Sequence, residues 1–162
     1  MKNTHPRMLV LTADEIGREI ECLYENVSSF KTDPDVAFNY AHAKKLMTWG
    51  FMENCSSCMM RGKVHLIVQT ISVYKSKKGA ASAYSANVKY LTKNDYGKTM
   101  GSNGIGEDSI LIKKVVDENS RTYNLIFLKN NVLVGLSLNS KSDSISESLL
   151  IEMAGKIEQK IQ

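Results

Sequence analysis

The stretch Val64-His65-Leu66-Ile67-Val68-Gln69-Thr70-Ile71-Ser72-Val73-Tyr74 constrains the fold more than any other part of this chain. It is dense in β-branched residues and carries apolar side chains on both alternating faces, the pattern of a central strand covered on two sides. Such a strand needs partners, and the C-terminal half supplies them. Residues 109–116, 122–128 and 132–138 read as strands, and the gaps Asp117-Glu118-Asn119-Ser120-Arg121 and Lys129-Asn130-Asn131 are short enough for hairpins. These three segments predict an antiparallel meander.

Helical signals flank the strands. Thr12-Ala13-Asp14-Glu15 is a capping box, with Leu11 and Ile16 placed as a hydrophobic staple, and Ile16, Ile20, Leu23 and Val27 then share one helical face. A helix running from Ala13 toward Val27 is the expectation. Asp33-Pro34-Asp35 opens a second helix, along which Val36, Tyr40, Ala43 and Met47 repeat before Gly50 at a C′ position. A third begins near Ser76 and carries Ala80, Tyr84, Val88 and Leu91; the last is capped by Ser144, with Glu147 at N3 and Ile145, Leu149, Met153, Ile157 and Ile161 in one stripe. Residues 96–106, with glycines at 97, 101, 104 and 106, read as loop. Hairpin-joined strands with helices before, between and after them give an α+β fold, one domain over residues 1–162. Its antiparallel sheet should have about four to six strands, packed against the helices.

Composition narrows the functional classes. With 162 residues, 43% hydrophobic and 23% charged, the chain has a globular balance and length enough for a core of its own. The net charge is only +4, the four arginines (Arg7, Arg18, Arg61, Arg121) are far apart, and the nearest basic cluster, Lys75, Lys77 and Lys78, sits at a helix entrance. A nucleic-acid footprint needs clustered cations, so no nucleic-acid partner is expected. Apolar stretches such as 66–68 and 132–138 fall well short of the roughly 20 residues that span a bilayer, and the mean hydropathy is −0.24. The polar N-terminus followed by the short apolar run 8–11 lacks the core of a secretory signal. A cytoplasmic location follows, with an extracytoplasmic one as the alternative if a signal or lipoprotein anchor has been trimmed. Three cysteines, an odd number, argue against a fully paired disulfide framework.

Three segments in the second half are a strand running into an Ala-rich helix (Val73-Tyr74-Lys75-Ser76-Lys77-Lys78-Gly79-Ala80-Ala81-Ser82-Ala83-Tyr84), the turn and strand Gly104-Ile105-Gly106-Glu107-Asp108-Ser109, and the hairpin Phe127-Leu128-Lys129-Asn130-Asn131-Val132-Leu133-Val134. With the closing helix, over roughly residues 63–161, their order resembles small bacterial and archaeal lipoprotein-type α+β domains related in fold to the PsbP-like group. The resemblance implies an antiparallel sheet backed by helices and supplies no catalytic residues.

Two segments invite a chemical reading. Cys55-Ser56-Ser57-Cys58 is a C-x-x-C pair that could form a redox disulfide or, with His65, supply metal ligands. No helix starts at Cys55 to stabilise a thiolate, and no second ligand pair completes a zinc knuckle. The competing reading is a loop or hairpin holding two ordinary thiols. Gly101-Ser102-Asn103-Gly104-Ile105-Gly106 fits neither the Walker nor the dinucleotide spacing, but Gly101, Asn103, Gly104 and Gly106 could form a binding lid. The expectation is therefore a non-catalytic binding or accessory domain, without a cofactor, using the groove between sheet and helices or the glycine segment. Its partner would be a small ligand or another protein. The alternative is a cysteine-dependent redox or zinc-binding protein.

Overall fold

The computed structural model describes residues 5–17, 19–29, 40–62, 65–93, 97–101, 104–141 and 147–161. Seven strands form one sheet in the order β1-β2-β3-β7-β6-β5-β4, every neighbouring pair antiparallel. They are β1 (Ile20–Ser28), β2 (Phe51–Arg61), β3 (His65–Tyr74), β4 (Lys98–Gly101), β5 (Asp108–Asp117), β6 (Ser120–Lys129) and β7 (Val132–Ser140). The helices are α1 (Ala13–Ile16), α2 (Tyr40–Thr48), α3 (Lys77–Lys93) and α4 (Glu147–Lys160), and a 3-10 turn covers Pro6–Met8. This is the expected α+β architecture, with one strand more than the expected upper count.

The meander β5-β6-β7 folds as its turn signals predict, and β3 is an interior strand, third of the seven in the order. Its two faces are not equivalent, however. His65, Ile67, Gln69, Ile71 and Val73 are buried, whereas Leu66, Val68, Thr70 and Ser72 are half-buried, so the expected cover on both sides exists fully on one side only. The buried face belongs to the larger core, where α4 contributes Leu150, Met153, Ala154 and Ile157, and Leu9, Val10 and Leu11 join them. Gln69, with no exposed surface, ties that N-terminal segment down: its side-chain amide donates to the Leu11 carbonyl (2.9 Å) and accepts from the Leu11 N–H (3.1 Å), as a neighbouring strand would. On the opposite face a smaller core joins α3, through Ala80 and Ala83, to Ile110, Ile112, Ile126, Leu128 and Leu133. Helix α3 begins where expected, with the Ser76 hydroxyl accepting from the Gly79 N–H at 3.1 Å. At Gly79 a methyl group would overlap the Trp49 carbonyl, so only glycine lets this helix start against the end of α2.

Three expectations are corrected. The capping box is present, Thr12 with Glu15, but the helix stops after Ile16 and β1 follows, so Ile20, Leu23 and Val27 lie on a strand and not on a helical face. Glu19, at φ +67, turns the chain out of α1 into β1. Residues 55–58, read as a loop or hairpin, are the interior of β2, and 98–101, read as loop, form the edge strand β4. The expected helix start at Asp33-Pro34-Asp35 and the cap at Ser144 lie outside the described residues, while Gly50, at φ +70, donates its N–H to the Met47 carbonyl and so stops α2 as expected.

Candidate functional site

Helix α3 packs against β6, β7 and β3, and Leu46 of α2 meets the same face at Phe51, while part of the sheet between the two helices stays open. The result is a groove of about 500 Å³, within the usual range for small-molecule sites. Strand alternation dictates its floor. Asn54 and Ser56 of β2, Thr70 of β3, Ser137 of β7 and Asn124 of β6 all lie on this side, and Gly135, opposite Thr70 in the β3–β7 register, leaves the middle without a side chain. None of those five polar side chains has a hydrogen-bond partner among the described residues.

The walls are apolar and aromatic. Leu46 and Phe51 stand at one end, with Phe51 packed edge-on against Tyr74, ring centroids 5.9 Å apart; Leu91 and Tyr90 come from α3, Tyr90 being 58% exposed. Although 23% of the chain is charged, no Asp, Glu, Lys or Arg lines the groove among the described residues. His42 lies in the lining, and burial pushes its imidazole pKa down, helped by Lys45. The Tyr74 phenol is pushed up to about 12 by burial, with its hydrogen bond to Ser72 working the other way. The site is therefore uncharged near neutral pH.

The residues singled out from sequence lie elsewhere or apart. Cys55 points into the larger core beside Ile71 and Met59, whereas Cys58, three residues on, faces the opposite side of the same strand. A disulfide or a shared metal ion would require β2 to rebuild. Burial also pushes the Cys55 thiol up to about 11 and the Cys58 thiol upward, further from reactivity than the expected free-thiol behaviour. Alkylation near neutral pH should therefore modify exposed Cys22 and spare Cys55 and Cys58 in the folded protein, as read by peptide mass spectrometry. Rapid labelling of either buried thiol would contradict the placement of β2.

His65, 7% exposed, pairs its Nδ1 with the Ser140 hydroxyl at 3.0 Å at one end of β3, outside the groove. Burial, and secondarily Arg61, holds its pKa below the ordinary 6.5. The unfolded chain thus takes up this proton more readily, so stability is full above about pH 6.5 and falls as the pH drops toward the lower folded value. Urea unfolding at several pH values should show a smaller acid loss in His65→Gln than in the parent; identical slopes would remove His65 from the acid response.

Within the glycine segment, Gly106 serves the fold. Gly106, at φ +66, sits where a methyl group would overlap the Leu128 carbonyl, and its N–H donates to Glu158 Oε1 at 3.0 Å. Buried Ile105 beside it enters the larger core, on the side of the sheet away from the groove. Gly101 ends β4 and Gly104 is exposed; neither lines the groove, and Asn103 lies outside the described residues. No motif marks the groove's polar residues in the sequence, where their signal is polar side chains at alternate positions in apolar strands (Asn54 and Ser56, Thr70 and Ser72).

No protein-family model matches the sequence, and no curated protein sequence matches it. Among solved structures, the chain is similar to the extracellular domain of PknH from Mycobacterium tuberculosis, with a TM-score of 0.67 at 14% identity over 95% of this chain and 93% of that one. At that identity the likeness concerns the fold, and it extends across nearly the whole of both chains.

Proposed function

We propose that this chain is a non-catalytic binding domain whose groove between α2, α3 and the sheet takes an uncharged small molecule. The observation that carries the proposal is the floor: five neutral polar side chains without partners among the described residues, at the bottom of an apolar-walled cleft. Polar groups on a purely structural face would be turned to bulk water or paired with one another. Here they converge between aromatic walls, the usual build of a small-molecule pocket. An extracytoplasmic location fits this reading, because the structural neighbour is described as an extracellular domain and the sequence resembles lipoprotein-type domains.

Gly135→Leu tests the proposal. A Cβ there meets nothing nearer than the Thr70 carbonyl oxygen at 3.9 Å, so the larger side chain should enter the groove and leave the strand intact. Some members of a library of neutral small molecules should raise the Tm of the parent through binding linkage and leave that of Gly135→Leu unmoved. Equal stabilisation of both proteins, or of neither, would contradict a groove site.

A further inference from the structure

Resting on the groove reading, we infer that the ligand class is a neutral saccharide, bound across the floor by hydroxyl-matching amides and hydroxyls and flanked by the aromatic wall. The layout of the polar groups carries this. Asn54 and Ser56, Thr70, Ser137 and Asn124 come from four strands adjacent in the sheet, β2, β3, β7 and β6. With strands spaced about 4.8 Å apart, the polar floor extends about 14 Å across the sheet. A ligand with one polar head and an apolar tail would satisfy one end of that floor and leave the rest desolvated and unpaired, which is costly. An anion or a cation would find no counter-charge among the described lining residues.

What matches is a molecule with neutral groups, each both donor and acceptor, distributed over its whole length. Every floor side chain has the same dual character, since amides and hydroxyls donate and accept alike. Saccharides also present C–H faces, and Tyr90 at the mouth together with Phe51 at the end supplies aromatic surface for them. Gly135 leaves space in the middle for a sugar ring to approach the sheet.

The test is calorimetric titration of the full chain with neutral disaccharides (maltose, cellobiose, trehalose), beside glucuronic acid, glucose 6-phosphate and octanol. At least one neutral disaccharide should bind, with an affinity indifferent to salt. Asn54→Ala and Asn124→Ala should each weaken it about tenfold, the effect of one lost neutral hydrogen-bonding group. Gly135→Leu, which keeps both amides, should abolish binding and so serves if an asparagine variant misfolds. Preferential binding of octanol in the groove would overturn the saccharide class and leave the groove reading standing, whereas preferential binding of a charged sugar there would overturn both. If no disaccharide binds while neutral library members still stabilise the parent over Gly135→Leu, the saccharide inference alone fails; if nothing binds, both fail.

Discussion

Replacing Gln69 with leucine should cost about 3–5 kcal/mol, because the apolar side chain strands several buried groups at once. The Leu11 N–H and carbonyl lose their partner, and so does the Ser57 hydroxyl, which lies 3.1 Å from the same amide nitrogen. Each unsatisfied buried group carries a penalty of about 1–3 kcal/mol, against a total stability of about 5–15 kcal/mol for a domain of this kind. Chemical denaturation gives the number directly. A loss below 1 kcal/mol, by the same scale of hydrogen-bond energies, would mean that the N-terminal segment does not lie on the sheet as described.

The second large effect separates the two faces of β3. Ile67→Ala should destabilise by about 2–5 kcal/mol, since a fully buried side chain in a core shared with α4 leaves a cavity that its neighbours fill only partly. Val68→Ala, one residue on and lining the groove, should cost under about 1.5 kcal/mol, because its methyl groups already face open space. Sequence alone assigns both residues the same core cost, as both faces of the strand look covered. Equal losses at the two sites would mean that the groove is closed.

That contrast marks what the sequence discloses of this fold. The meander, β3, α3 and the capping box at Thr12 were legible because apolar period and turn chemistry agree there. Strand β1 was misread because it is an edge: six of its nine residues are exposed, so no alternation marks it, and the chance spacing of Ile20, Leu23 and Val27 imitates a helix. Strand β2 is hidden in the sequence for a reason tied to the groove. Its core face carries Cys55, Ser57 and Met59, but its other face carries Asn54 and Ser56, and polar residues on that face make an internal strand resemble a loop. The features that build the groove floor therefore hid the strand that holds it. A groove between sheet and helices is present as expected, whereas the residues singled out, the glycines at 101, 104 and 106 and the cysteines, do not line it.

The measurement that bears most directly on the binding reading is residue-by-residue mapping of backbone amide resonances on isotopically labelled protein, titrated with those neutral molecules that raise its Tm. Saturable shifts should concentrate at Asn54, Ser56, Thr70, Gly135 and Ser137, with smaller ones at Tyr90 and Leu91 of α3. Largest shifts at Gly101, Gly104 and Gly106, or around Cys55 and the larger core, would place the binding surface elsewhere and contradict the account.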